Sequence, residues 1–266
     1  MNLACRLLVA DLDGTLTEGG EPVAEQVVAA VREFCRRGGL FTLATGRGPL
    51  SARCYLDQLA VTIPAILFNG AWLYDPVSGC PIREKVLPPD FVIPFLDWLT
   101  SFTGDVVVYR GEEVLIPGLS SRLERHFQKD GGRYRSVPGW AGLTSFGINK
   151  ILVIAPSGPY RSFAARFPRE AAMVNWIQSE NDYWEIMPAD VSKGSGLLEL
   201  IAHLGISWQE VIAIGNHLND LEMLAVAGLG VAVRNAHPVL RRTAQYVTSG
   251  CSWKGVMEIL RKLTLL

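Results

Sequence analysis

The chain has 266 residues, 49% hydrophobic and 19% charged, with 25 basic and 26 acidic side chains. This composition excludes a disordered chain, and the length favours two domains. The balanced charge argues against a nucleic-acid-binding protein, which usually carries a basic excess. The five cysteines form no CxxC pair, which argues against a disulfide framework or a structural zinc site. No apolar run is long enough for a transmembrane helix, and no signal peptide is recognisable, so we expect a cytoplasmic protein without a membrane partner.

The first third of the chain alternates short apolar runs with segments of helical periodicity. Strands are predicted at 7–10, 40–44 and 64–68, and helices at 22–37 and 49–59. The first of these helices ends before Gly38 and Gly39, which are a stop signal. Strands and helices that alternate in this way predict a parallel sheet covered by helices.

The middle of the chain has a different pattern, which begins with a predicted hairpin at 105–116. Further strands are predicted at 150–155, 172–176 and 183–186, and helices at 119–128 and 160–167. We interpret residues 84–184 as a separate α+β domain. It is inserted between the two halves of an α/β core, residues 1–83 and 185–266.

The last third returns to the alternating pattern of the first. Helices are predicted at 195–203, at 218–227 and from about 254, and strands at 210–214, 230–233 and 246–248. The two outer thirds together therefore predict one α/β core with a parallel sheet.

Two carboxylates, Asp11 and Asp13, follow the strand predicted at 7–10, in the sequence DLDGTL. Ligands of open α/β sheets bind beyond the carboxyl ends of the strands. Paired carboxylates there suit a hard divalent cation such as Mg²⁺. They also suit a division of roles between an ionised nucleophile and a residue that gives and takes a proton. A polar turn after a strand accounts for an Asp-Gly pair alone, but the whole hexapeptide is more specific.

Thr45 and Gly46 lie between the second predicted strand and the helix that follows it. A hydroxyl group together with free amides at a helix N-terminus forms an anion site. An ordinary N-cap is the alternative role of Thr45. Arg47 either provides a cation for a substrate phosphate, which suits its guanidinium group, or is a solvated surface residue.

The hexapeptide DLDGTL after an apolar strand resembles the first motif of the haloacid dehalogenase superfamily. Three later segments resemble the other motifs of that family in the same order: LATGR with Thr45, DVSKGSGLLEL with Lys193, and GNHLNDLEML. LFNGA with Asn69, and the tail AGLGVAVRNAHPVLRRTAQYVT, resemble the Cof-type or IIB subgroup, which has a large α/β cap. The resemblance covers both halves of the core. It implies a Rossmann-like parallel-sheet core with an inserted α+β cap domain.

This resemblance implies a Mg²⁺-dependent phosphatase of small phosphorylated metabolites, such as sugar phosphates. Asp11 is then the nucleophile, which forms an aspartyl-phosphate, and Asp13 is the acid/base residue, which dehalogenases and ion-pumping ATPases of the superfamily lack. Lys193 offsets the repulsion between the phosphoryl group and Asp11. The expected substrate-binding residues are Leu12 (through its amide), Thr45, Gly46, Arg47, Asn69, Lys193 and Asn219. The cap is expected to close over the site and to select the substrate.

The fourth motif departs from the family pattern at Asn216, where the family usually has a metal-binding Asp. The expected Mg²⁺ ligands are therefore Asp11, the backbone carbonyl of Asp13, and Asn216 or Asp220. Because an amide oxygen brings no charge to the metal, we predict weaker metal affinity than in a relative with Asp. One alternative is a specialist such as a mannosyl-3-phosphoglycerate or sucrose-phosphate phosphatase. Another is a metal-impaired, non-catalytic sensor of a phosphorylated ligand, and the oligomeric state stays open.

Overall fold

The computed structural model describes residues 5–130, 133–140, 143, 146–156, 159–180 and 182–264. These residues form two compact units. The first comprises the described residues of Met1–Arg47, Ala52–Arg83 and Ser192–Leu266, and the second comprises those of Gly48–Ser51 and Glu84–Val191. No helix in this part of the chain is long and apolar enough to cross a membrane.

Strands and helices alternate along much of the chain. Strands β1 to β14 are Leu7–Ala10, Leu40–Leu43, Ala65–Leu67, Trp72–Asp75, Cys80–Glu84, Asp105–Arg110, Glu113–Ile116, Arg135–Ser136, Ile148–Ile154, Val174–Glu180, Tyr183–Pro188, Val211–Gly215, Leu229–Ala232 and Tyr246–Val247. Helices α1 to α10 are Glu25–Arg36, Pro49–Gln58, Pro89–Leu99, Ser121–Asp130, Pro159–Arg166, Pro168–Ala171, Lys193–Leu204, Leu221–Val226, Pro238–Thr243 and Ser252–Thr264. Short 3₁₀ turns cover Phe68–Gly70, Trp208–Glu210 and Leu218–Asp220.

A parallel sheet of five strands, in the order β14-β13-β12-β1-β2, forms the centre of the first unit. The strand β1 pairs with β12 on one side and with β2 on the other. All four of its residues are fully buried, as expected for an apolar strand that is covered on both faces. This sheet confirms the predicted α/β class with a parallel core.

The third predicted strand, 64–68, is present as β3 but does not extend the parallel sheet as a full member. It pairs antiparallel with β4 and forms a three-stranded sheet in the order β3-β4-β5. A single parallel bridge between Ala44 and Ile66 connects it to the end of β2. The sequence did not indicate β5, because this strand is mostly exposed and has no alternation of apolar and polar residues.

The second unit contains a six-stranded sheet in the order β10-β11-β9-β6-β7-β8. The hairpin predicted at 105–116 is confirmed as β6 and β7, with Val108 opposite Leu115. A buried hydrophobic cluster in this unit includes Phe91 and Phe95 of α3, Phe163 of α5 and Ile151 of β9. Helix α3 was not predicted, because Pro94 inside it is normally a signal against a helix.

Two corrections to the predicted helices affect the site. Helix α7 begins at Lys193 rather than at 195, because Ser192 is its N-cap and accepts a hydrogen bond from the amide of Ser195. The helix predicted at 218–227 is divided into a 3₁₀ turn, Leu218–Asp220, and the short helix α8. Lys193 is therefore the first residue of a capped helix, and Asp220 is the last residue of a 3₁₀ turn.

Candidate active site

Asp11 follows β1 directly and is 5% exposed. Its two carboxylate oxygens have different partners. Oδ2 accepts a hydrogen bond from the hydroxyl of Thr15 at 2.8 Å, and Oδ1 accepts one from Nζ of Lys193 at 2.6 Å. The chain turns back at Gly14, whose φ is +83°, and a side chain there would collide with the amide of Asn216. This turn brings Thr15 to Asp11 and holds the carboxylate in one orientation.

Lys193 connects two parts of the core that are distant in sequence. Its Nζ donates to Asp11 and also to Oδ1 of Asp220, at 2.7 Å, and it is 1% exposed. The other oxygen of Asp220 accepts from the amides of Asn216 and His217, at 2.8 and 3.0 Å. Both oxygens of Asp220 are thus engaged by contacts within the protein, and Asp220 fixes both the ammonium group and the loop after β12.

Burial, and after it the nearby Asp220 carboxylate, raise the pKa of Asp11 above its usual value, although Lys193 opposes this rise. Burial favours the neutral amine of Lys193, but the carboxylates of Asp11 and Asp220 outweigh it and raise the pKa of Lys193 above its usual value. The ammonium group is therefore a permanent positive charge beside Asp11.

Asp13 is paired with Arg47. Nε and Nη2 of Arg47 each lie 2.8 Å from an oxygen of the carboxylate, which is the two-pronged contact that guanidinium groups favour. Arg47 is 7% exposed, and its guanidinium group lies 5.2 Å from the ring centre of Tyr55. Arg47 is therefore not a solvated surface residue, while the Asp13 side chain is 42% exposed and accessible.

Thr45 lies in the loop after β2 and is buried. Its hydroxyl accepts a hydrogen bond from the amide of Arg47 at 3.1 Å. The N-cap role considered for Thr45 is wrong, because α2 begins four positions later, at Pro49. For the same reason Thr45 and Gly46 do not lie at the helix N-terminus, so any anion contact there comes from the loop itself.

Asn69 and Asn219 come together although they belong to different segments. Nδ2 of Asn219 donates to Oδ1 of Asn69 at 3.0 Å, and Asn69 is 3% exposed. Leu12, the remaining predicted site residue, has a buried side chain between Asp11 and Asp13. All the predicted site residues thus lie in the first unit.

Two residues in or near the loop after β1 were not among the predicted site residues. Thr15 is part of DLDGTL, so its place in that hexapeptide was a signal that could have found it. Asn235 lies in the tail that resembles the Cof-type subgroup, and it joins the carbonyl of Gly14, at 3.3 Å, to the amide of Ser252, at 2.7 Å. It connects the loop after β1 to the start of the last helix.

The predicted metal ligands lie in segments that come close together at Gly14, where a side chain would meet Nδ2 of Asn216 at 2.1 Å. Among the described residues no group of three or more His, Cys, Asp or Glu side chains is arranged to hold a metal ion. The candidate ligands that remain are one carboxylate, Asp11, the backbone carbonyl of Asp13 and the amide oxygen of Asn216. These are hard oxygen ligands, which fit Mg²⁺ by chemical type.

A profile of the haloacid dehalogenase-like hydrolases matches residues 8–260. The chain belongs to this family. It is 30% identical over 241 residues to the HMP-PP phosphatase of Serratia proteamaculans (strain 568), in a match that covers 89% of this chain and 86% of that protein. The predicted family and enzyme class, a phosphatase, are thus confirmed.

Solved structures agree with this haloacid dehalogenase assignment. A protein from Thermotoga maritima superposes with a TM-score of 0.86 at 26% identity, over 97% of both chains. A sugar phosphatase of subclass IIB has the same fold, with a TM-score of 0.83 at 17% identity, over 98% of this chain and 100% of that one. In fold, the chain therefore agrees with the predicted Cof-type or IIB subgroup.

Proposed function

We propose that this phosphatase hydrolyses small phosphorylated metabolites in a Mg²⁺-dependent reaction through an aspartyl-phosphate. One observation carries the proposal: Asp11 is buried, with Thr15 on one oxygen and Lys193 on the other. A carboxylate held in this way presents its lone pairs in a fixed direction, as a nucleophile requires. Lys193 offsets the charge of an incoming phosphoryl group.

The reaction has two steps. In the first, an oxygen of Asp11 attacks phosphorus, the bond from phosphorus to the leaving oxygen breaks, and Asp13 gives that oxygen a proton. In the second, Asp13 takes a proton from water, the water oxygen attacks phosphorus, and the bond to Asp11 breaks to release phosphate. Both oxygens of Asp13 accept from Arg47, and this pair holds the acid/base carboxyl group in one orientation during both steps.

The phosphoryl oxygens are held by groups around Asp11. We assign this role to the amides of Leu12 and Gly46, the hydroxyl of Thr45, the ammonium group of Lys193 and the amide of Asn219. Arg47 is assigned to Asp13 rather than to the substrate, because its guanidinium group is buried against that carboxylate.

Asp11, the carbonyl of Asp13 and the amide oxygen of Asn216 would hold Mg²⁺, which neutralises phosphoryl charge and aligns the reacting groups when bound. Asp220 serves Lys193 rather than the metal, because three hydrogen bonds already engage its oxygens. The variant Asn216→Asp adds one negative charge to the donor set. It should lower the half-saturating Mg²⁺ concentration by roughly tenfold, and an unchanged Mg²⁺ dependence contradicts the ligand set.

The decisive experiment compares wild type with Asp11→Asn on a panel of phosphorylated metabolites, with and without Mg²⁺. We expect wild type to hydrolyse several members and Asp11→Asn to lose turnover and the covalent phosphoryl group seen by mass spectrometry after acid quench. The exposed surface change Asp57→Asn is the control and should leave both signals intact. Residual turnover by Asp11→Asn beyond trace level contradicts the nucleophile.

The same panel separates the alternatives. It contains HMP-PP, several hexose phosphates, mannosyl-3-phosphoglycerate and sucrose phosphate, because one similar protein is named for HMP-PP and one structural neighbour for sugar phosphates. Cleavage confined to one glycosyl ester supports a specialist. Binding of phosphate without any hydrolysis at saturating Mg²⁺ supports a sensor. The uncharged Asn216, in place of a charged metal ligand, is the feature that would favour this alternative.

A further inference from the structure

We propose that Asn69 is a positioning residue that acts on the phosphate site through Asn219, without touching the substrate. This inference rests on the proposed phosphatase function and changes the role predicted for Asn69. The hydrogen bond from Nδ2 of Asn219 to Oδ1 of Asn69 is 3.0 Å long. A carboxamide carries two N–H donors in one plane, so a fixed bond at one of them sets the direction of the other.

The backbone around Asn69 is unusual. Phe68, Asn69 and Gly70 have φ values of 49°, 52° and 103°, so three consecutive residues have positive φ. Asn and Gly adopt such values with little penalty, but a bulky residue such as Phe does so only when its surroundings impose it. Such turns persist where neighbouring structure over-determines them, often at functional sites.

Three contacts impose this turn. The amide of Phe68 donates to the carbonyl of Arg47 at 3.0 Å, and the amide of Asn69 donates to the carbonyl of Thr45 at 2.9 Å. Gly70 is packed so closely on the N-cap of α7 that a side chain would meet the carbonyl oxygen of Ser192 at 2.1 Å. The turn therefore joins the loop of Thr45 to the helix that begins with Lys193.

The side chain of Asn69 adds the last connection. It is 3% exposed, and it reaches Asn219 in the 3₁₀ turn that also contains Asp220, the partner of Lys193. The turn thus contacts three segments of the proposed site: the loop of Thr45, the start of α7 at Lys193, and the 3₁₀ turn that contains Asn219. Its backbone holds the first two of these segments, and the side chain of Asn69 holds Asn219. Removing that side chain therefore separates its effect from that of the backbone.

Asn69→Gly makes this separation, because glycine keeps the left-handed backbone but has no side-chain acceptor. We expect the thermal midpoint to stay close to that of wild type, and the affinity for inorganic phosphate, measured by calorimetry with Mg²⁺, to fall about tenfold. Ala60→Gly, at another left-handed position with φ of 51° on an exposed turn, is the matched control and should bind phosphate as wild type does.

A double-mutant cycle tests the route through Asn219. In the Asn219→Ala background, Asn69→Gly should change phosphate affinity by less than about twofold, because the group it orients is absent. An equal loss in both backgrounds means that Asn69 binds phosphate itself and overturns the proposal, as does unchanged affinity of the single Asn69→Gly variant. If the phosphatase proposal itself is wrong, wild type fails to hydrolyse p-nitrophenyl phosphate, which distinguishes the two failures.

Discussion

Replacing Lys193 by Met isolates the contribution of one buried ammonium group. Its Nζ lies 2.6 Å from Asp11 and 2.7 Å from Asp220, and the side chains of Lys193 and Asp220 are both 0% exposed. Met is unbranched and of similar length, so the change removes charge more than packing. Two buried carboxylates then lack their cation, and breaking a buried pair costs about 3–5 kcal/mol. We expect the free energy of unfolding to fall by that amount, and turnover to fall at least about 100-fold.

Urea denaturation near neutral pH measures the stability loss. Lys254→Met, which changes an exposed lysine, is the control and should stay within about 0.5 kcal/mol of wild type. Asp220→Asn should destabilise wild type. In the Lys193→Met background it should instead restore part of the lost stability, because it removes one of the two carboxylates that lack a cation there. A loss below about 1 kcal/mol for Lys193→Met, or an equal effect of Asp220→Asn in both backgrounds, would refute the reasoning.

Three further predictions concern stability and leaving-group dependence. Gly70→Ala should lower the free energy of unfolding by about 2 kcal/mol or more. The control Gly19→Ala, at φ +73° with no atom near the new side chain, should lower it by only about 1 kcal/mol. Equal losses argue against the close packing of Gly70 on Ser192. Arg47→Lys keeps the charge but not the two-pronged contact with Asp13. It should slow hydrolysis of alkyl phosphates roughly tenfold and that of p-nitrophenyl phosphate far less, and equal slowing would indicate direct substrate contact. Burial raises the pKa of Glu258, but hydrogen bonds outweigh this effect and lower that pKa from 4.5 to about 2. The ionised Glu258 therefore stabilises the folded protein above about pH 4.5, and this contribution is lost as the pH falls towards 2. Denaturation across this range should show Glu258→Gln less stable than wild type at neutral pH and equal to it near pH 2, and a constant difference contradicts the assignment.

The candidate site residues of the core were predictable because their signals are local. Asp11 and Thr45 each follow a short apolar strand, and a parallel sheet brings the ends of neighbouring strands to one edge. The prediction of Lys193 depended in addition on the order of the motifs, since a single lysine before a helix does not by itself indicate a function. Local patterns therefore located the groups that a phosphatase needs.

The partners of these groups were not predictable, since pairing across loops depends on side-chain geometry. The contact of Arg47 with Asp13 joins residues 34 positions apart, and nothing in either segment indicates it. The left-handed φ of Phe68 was also not predictable, because a bulky residue gives no sequence signal for a conformation that its neighbours impose. Asn69 and Gly70 are residue types typical of a turn, but they do not indicate what the turn connects.

The core sheet has a consequence for the order in which the protein is made. Strand β1, the fourth of five in the sheet, has β2 on one side and β12 on the other, and Asp11 meets Lys193 across 182 positions of sequence. On the ribosome, Asp11 is therefore synthesised long before its partner Lys193, and β1 has one open edge until the second half of the core emerges. Pairings at such sequence separation form slowly. The nascent chain thus contains Asp11 without its buried partners, and the candidate active site forms among the last parts of the fold.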